Sequence, residues 1–181
     1  DYREIIRDMA ELTQNVIKGA GLTVKDVKAV GIGCPGAVDT EHGKVLYLNN
    51  IKMQNVPLAE EFRKYVDLPV ALENDANAAA FAEYCMINKK MKSFLMVTLG
   101  TGVGGGLIID GNVYSGFNYS GGEIGHTTIV LDGKECSCGK RGCWEAYASV
   151  TALVEQTKEK MAEHPESLMH EWLKNNKSVN G

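Results

Sequence analysis

Val70-Ala71-Leu72-Glu73-Asn74-Asp75-Ala76-Asn77-Ala78-Ala79-Ala80-Phe81-Ala82-Glu83-Tyr84-Cys85 sets an apolar run, a polar break and an alanine-rich run in immediate succession. The run Val70 to Leu72 predicts a strand and Ala78 to Cys85 a helix. A polar junction between them is a natural place for chemistry, because a carboxylate at a strand end can accept the proton of an attacking hydroxyl. The neighbouring amide of Asn74 offers a donor and an acceptor to ligand hydroxyls. Read alone, Asp75 is also a plain cap for a helix beginning near Ala76.

Working outward, the same alternation of element types continues. Upstream, Ile5, Ile6, Met9, Leu12, Val16 and Ile17 form one apolar face of a helix from about Arg3 to Lys18, ended by Gly19 and Gly21. Val27 to Ile32 predicts a buried strand that runs into Gly33-Cys34-Pro35-Gly36, a loop at its carboxyl end, where open α/β sheets face their ligands. Val45 to Leu48 predicts a short strand, and Leu58 to Tyr65 a helix that leads through Leu68-Pro69 to Val70. Downstream, Ser93 to Leu99 predicts a strand, Gly100 to Gly106 a glycine-rich turn, and Gly106 to Ile109 with Val113-Tyr114 a hairpin closed by Asp110-Gly111. Helices follow at Val150 to Met161 and Glu166 to Leu173, and the tail from Asn175 is polar without a readable signal. The class is mixed α/β.

Composition fits such a chain. The 181 residues are 44% hydrophobic and 23% charged, with 20 Gly against 4 Pro, and they could form one domain or two small lobes. A net charge of −4 and the lack of a basic run argue against direct nucleic-acid binding. The apolar stretches are too short to cross a bilayer and no secretory leader opens the chain, so a cytoplasmic location is expected. The chain begins with Asp1 rather than Met, and helical periodicity starts almost at once, as expected for a piece of a longer protein.

His126 followed by Cys136-Ser137-Cys138-Gly139-Lys140-Arg141-Gly142-Cys143 supplies one imidazole and three thiolates, a set suited to tetrahedral Zn²⁺ in a reducing compartment. With four protein ligands the site is closed, hence structural rather than chemical. Cys34 and Cys85 stand apart and read as small buried hydrophobes. Leu99-Gly100-Thr101-Gly102-Val103-Gly104-Gly105-Gly106 can present N–H groups and a hydroxyl to phosphate oxygens, although it is neither a P-loop nor a dinucleotide fingerprint. Glu123-Ile124-Gly125-His126 and Glu145 add groups that can read a polyol. A metal on one ring nitrogen of His126 would leave the other as an oriented donor. Alone, Glu123 and Glu145 would be solvated surface charges.

These four signals, in this order, resemble the ROK family of repressors, uncharacterised reading frames and sugar kinases, and its glucokinase-type members above all. The matching stretches are Gly33 to Asp39, Glu73 to Ala80, Leu99 to Gly106, Glu123 to His126 and Cys136 to Glu145, together about residues 30 to 150. The resemblance implies a ribonuclease-H-like, actin-like ATPase fold of two lobes with sugar and nucleotide between them. Residues 1–72 would belong to the first lobe and 73–181 to the second, with both ends of the family fold lacking. It implies Asp75 as catalytic base; Asn74, Glu123, His126, Glu145 and Gly36 as sugar contacts; Gly100, Thr101 and Gly102 as a phosphate loop; and His126, Cys136, Cys138 and Cys143 as zinc ligands. It further implies ATP with Mg²⁺, a hexose substrate and a homodimer. The family's amino-terminal Asp-x-Gly-Gly-Thr hairpin and carboxyl-terminal adenosine segment are absent from this sequence, so efficient phosphorylation by these residues alone is not expected. The competing reading is the ligand-binding part of a sugar-sensing repressor of the same family. A purely structural zinc module would leave Asn74, Asp75 and Glu123 without a task.

Overall fold

Asp1 opens the first helix with a capping box: its side chain accepts from the Arg3 N–H at 3.2 Å, and Glu4 reaches back to the chain start. The resulting helix α1 (Tyr2–Gly19) buries Ile6, Ala10 and Ile17. The computed structural model describes residues 1–48, 51–87, 91–175 and 178–179, so part of the polar tail lies outside the described residues.

The frame of the first half is a parallel pair, β1 (Val30–Cys34) beside β5 (Val70–Asn74), in register from Val30 against Val70 to Cys34 against Asn74. Parallel strands need a long crossover. Here it contains an antiparallel sheet of β2 (Ala37–Asp39), β3 (Lys44–Leu48) and β4 (Met53–Val56), then helix α2 (Leu58–Arg63). Ile6, Val45, Phe62, Val66 and Leu72, all almost fully buried, centre the core that joins these elements. In-register pairing places the ends of β1 and β5 side by side. The Gly36 loop and the Asn74–Asp75 junction therefore meet.

Three details differ from the sequence expectation. β1 begins at Val30 rather than Val27, because Thr23 and Asp26 close a 3₁₀ turn over Val24–Asp26, and it continues through Gly33 and Cys34. β5 runs on through Glu73 and Asn74. The following helix α3 (Asp75–Met86) starts at Asp75, with Asn74 rather than Asp75 as its cap.

The second half is built on α3 and a second antiparallel sheet, β6 (Ser93–Leu99), β7 (Val103–Ile109) and β8 (Asn112–Val113). Asp110 and Gly111 both have positive φ, 48° and 83°, as a two-residue hairpin turn requires. A smaller core of Ala80, Tyr84 and Ile108 packs with Phe94 and Met96. Beyond β8, the described residues up to Trp144 contain a 3₁₀ turn (Ile124–His126) and isolated bridges Thr128–Cys143 and Glu135–Arg141. Helices α4 (Glu145–Ala148), α5 (Val150–Glu163) and α6 (Met169–Asn175) follow, the last beginning later than Glu166. No described helix is long and apolar enough to cross a membrane.

The glycine-rich stretch is split. Only Gly100–Gly102 turn; Gly104, Gly105 and Gly106 lie inside β7. The smallness of Gly104 and Gly106 is a packing requirement of α3, and that of Gly105 of the Gly122–Ile124 segment. A Cβ on Gly104 would come 2.5 Å from Thr98 Oγ1 and 3.1 Å from Ala76 Cβ, and one on Gly106 would strike the Ala80 side chain and the Ala76 carbonyl. Replacing Gly106 by Ala is therefore expected to destabilise the fold by ~1–3 kcal/mol through overpacking, read as a lowered denaturation midpoint at unchanged slope.

Candidate functional site

The carboxyl ends of β1 and β5, the β6–β7 turn, the segment Glu123–His126 and the start of α4 surround one cleft of about 1060 Å³. Its lining includes Gly36, Asn74, Asp75, Gly100, Thr101, Gly102, Glu123, His126, Cys136 and Glu145. Every candidate residue from the sequence lines it except Cys138 and Cys143. A second concavity of about 300 Å³ between α1 and β1 is apolar except for Thr13 and holds none of these groups.

The junction at Asn74 has a clear division of labour. Asn74 Oδ1 accepts the Asn77 N–H at 3.0 Å, capping α3, while its Nδ2 donates to the Gly36 carbonyl at 3.1 Å. That second bond ties the floor of the cleft to the Gly36 loop, where φ of 83° and the closeness of the Tyr47 carbonyl exclude a side chain. Glu73 braces the same corner: Oε1 accepts from the Asn74 N–H at 2.9 Å and Asn77 Nδ2 at 3.3 Å, and Oε2 accepts from Thr40 Oγ1 at 3.3 Å. With capping supplied by Asn74, Asp75 projects an exposed carboxylate. Its Oδ1 accepts the Ala76 N–H at 2.9 Å.

On the opposite wall, the ligand atoms of His126, Cys136, Cys138 and Cys143 all lie within 4.8 Å of one another. Tetrahedral Zn²⁺ with the usual bond lengths places two sulfurs about 3.8 Å apart and a sulfur and a nitrogen about 3.5 Å apart. Here Cys138 Sγ and Cys143 Sγ are 3.7 Å apart, and Cys136 Sγ and His126 Nδ1 are 3.6 Å apart. The donor set therefore fits zinc. Nδ1 is the nitrogen turned toward the sulfurs, which leaves Nε2 on the side of Glu123, whose Oε2 is 3.9 Å away. Lys140 secures the segment by donating from Nζ to the His126 carbonyl at 2.9 Å.

Glu145, at the start of α4, links this cysteine-bearing loop to the glycine turn. Its Oε1 accepts from Ser137 Oγ at 3.3 Å and lies 3.9 Å from Cys136 Sγ, while Oε2 accepts the Val103 N–H at 2.9 Å. The turn is held from the other side by α5, since the Val150 N–H donates to the Gly100 carbonyl at 2.8 Å and Thr151 Oγ1 to the Thr101 carbonyl at 2.9 Å. Of the apolar cysteines, Cys34 is buried and Cys85 half-buried. Burial, with the nearby Asp75 charge, pushes the Cys34 thiol up to about 11, so it stays protonated and inert. Glu73 and Ser137 were visible in the sequence only as neighbours of stronger signals.

An α/β frame with its polar cleft at the strand ends, and a glycine turn facing a strand-end carboxylate, defines the ribonuclease-H-like, actin-like ATPase class, the fold of the ROK sugar kinases. The chain belongs to the ROK family, whose model matches residues 1–180. It is 36% identical over 165 residues to a glucokinase of Halalkalibacterium halodurans, covering 90% of this chain and 50% of that one. It is also 36% identical over 173 residues to a xylose repressor of Caldicellulosiruptor bescii, covering 95% and 43%. Among solved structures, a ROK family glucokinase from Streptomyces griseus in complex with glucose and AMPPNP superposes with a TM-score of 0.76 at 38% identity, covering 90% of this chain and 52% of the other. The chain thus spans about half the length of the curated relatives it matches.

Proposed function

We propose that the full-length protein phosphorylates a hexose with ATP, and that the residues described here supply its sugar site, its general base and one wall of its phosphate site. The observation that carries this reading is the convergence of Asp75, Glu123, His126, Glu145 and the Gly100–Gly102 turn on one cleft. The sugar's primary hydroxyl would face the exposed Asp75 carboxylate, which takes its proton as the oxygen attacks the γ-phosphate. Glu123 and the Nε2 side of His126 would read the remaining hydroxyls, with Glu145 beside them. The glycine turn would present N–H groups to phosphate oxygens, and Mg²⁺ supplies charge neutralisation of the transferred group. A zinc bound by His126, Cys136, Cys138 and Cys143 would orient the imidazole and have no open position for chemistry.

The relationship to a xylose repressor supports a second reading, in which the same cleft binds a sugar and the output is release of DNA. An ATP-dependent phosphorylation assay of the full-length protein over a panel of hexoses, with Mg²⁺, separates the two. The expected result is turnover of at least one hexose that disappears when Mg²⁺ is chelated. Binding of a sugar without turnover, with sugar-dependent release of operator DNA, would replace the kinase with the regulator.

A further inference from the structure

Every carbonyl of the turn Gly100–Gly102 accepts a hydrogen bond. The Gly102 carbonyl takes the Gly100 N–H at 2.9 Å, the Gly100 carbonyl the Val150 N–H at 2.8 Å, and the Thr101 carbonyl Thr151 Oγ1 at 2.9 Å. The last two donors belong to the first turn of α5, fifty residues further along the chain. The N–H groups are used differently. That of Gly100 is spent inside the turn, while among the described residues those of Thr101 and Gly102 donate to nothing. In a trans peptide the C=O and the next residue's N–H point opposite ways. Because the Gly100 and Thr101 carbonyls are drawn toward α5, the Thr101 and Gly102 N–H groups are turned away from it. Both residues line the cleft, and successive N–H groups of this kind favour anions.

The start of α5 is itself well anchored. Ser149 Oγ accepts the Ala152 N–H at 3.1 Å, capping the helix, and the Ser149 N–H donates to the Glu145 carbonyl at 3.2 Å. Ser149 and Ala152 are each 3% exposed. On the other side of the turn, Glu145 Oε2 takes the Val103 N–H and leaves no room for a side chain on Gly102. Of the two bonds from α5, the one from Val150 uses only backbone atoms, which any residue but proline supplies. The bond from Thr151 needs a hydroxyl. A threonine hydroxyl has a single proton, and here it is spent on the Thr101 carbonyl, so Thr151 has none to offer a phosphate oxygen.

We propose that Thr151 is a positioning residue for nucleotide phosphate: by holding the Thr101 carbonyl against α5, it fixes the Thr101 and Gly102 N–H groups in the orientation that meets phosphate oxygens. The inference rests on the reading of the cleft as an ATP-dependent kinase site. It assigns Thr151 no contact with either substrate.

The test uses the full-length protein with Thr151→Val, which keeps the branched shape and removes the hydroxyl, and Thr151→Ser, which keeps the hydroxyl. Thr151 is exposed, so neither change disturbs a core. In Thr151→Val, kcat/KM for ATP is expected to fall roughly three- to ten-fold, the usual worth of one hydrogen bond. The KM of the hexose turned over fastest, measured at saturating ATP, should stay within about two-fold of wild type. Thr151→Ser should restore the ATP value. A second readout does not depend on catalysis: backbone order parameters of Gly100–Gly102 in the nucleotide-free protein should fall in Thr151→Val and recover in Thr151→Ser. An unchanged kcat/KM for ATP in Thr151→Val would overturn the proposal. So would equal losses toward ATP and hexose that serine does not rescue, since those mark a general loosening. A loss toward ATP with unchanged order parameters would make Thr151 a phosphate contact and overturn the positioning role. Failure of the kinase reading shows in the wild-type protein instead. If that protein turns over no hexose but binds AMPPNP with Mg²⁺ by calorimetry, this affinity replaces kcat/KM as the deciding quantity. If it binds no nucleotide, the inference falls with the reading it rests on.

Discussion

On the proposed kinase reading, Asp75→Asn is expected to lower turnover of the full-length protein by ~10²–10⁴ while leaving hexose affinity near wild type, the loss typical of removing a general base. The structure sharpens what this variant measures. Asn74 Oδ1, not the Asp75 carboxylate, caps α3, so the helix start survives the substitution. The bond from the Ala76 N–H to Oδ1 can also be kept by an amide oxygen. Thermal unfolding should consequently shift little, and the change should fall on kcat. If Asp75 merely capped the helix, the outcome would be reversed, with a lowered melting temperature and preserved turnover. Steady-state kinetics and a melting curve on the same preparation decide between them.

Cys138→Ser is expected to have the second-largest effect. The residue does not line the cleft, so an influence on sugar is expected to pass through a metal held by the His126–Cys143 set. Losing one of four ligands should empty the site and free the His126 ring, whose Nδ1 now sits 3.6 Å from Cys136 Sγ. Sugar affinity is then expected to drop on the order of 10–100-fold, the usual cost of disturbing the groups that orient a metal site. Because Glu145 takes Ser137 Oγ on one oxygen and the Val103 N–H on the other, the disturbance should also reach the glycine turn and raise the ATP KM. Zinc content, calorimetric sugar affinity and amide exchange across residues 127–144 follow the chain of effects step by step. A metal-free protein with native sugar affinity and unchanged exchange would break it at the first link.

Much of this arrangement was legible in the residues, for identifiable reasons. Helix α1 declares itself through an apolar face repeated over 18 residues, long enough for periodicity to dominate. The coming together of His126, Cys136, Cys138 and Cys143 is legible because few alternatives use one imidazole and three closely spaced thiols. The short strands β2 and β4 escaped notice, since Ala37–Asp39 and Met53–Val56 are too brief to show alternation and depend on β3 for their hydrogen bonds. Gly104–Gly106 looked like a turn because glycine is a poor strand former. The reason for glycine is helix α3 at Gly104 and Gly106 and the Gly122–Ile124 segment at Gly105, both distant in sequence and therefore invisible to a local reading. The choice of Asn74 over Asp75 as cap is a matter of one residue's placement.

The turn Gly100–Gly102 also sets the alignment of β6 against β7, in which Met96 faces Gly106 and Thr98 faces Gly104. Surface loops usually tolerate insertions. Adding one residue here would shift the pairing by a single step and turn the other face of β7, which carries Val103, Gly105 and Leu107 in place of Gly104 and Gly106, beneath α3. The helix would then be lifted from the sheet, taking residue 75 with it. The length of a segment that faces ligand is thus dictated from behind, by the thickness of the contact between a helix and a strand.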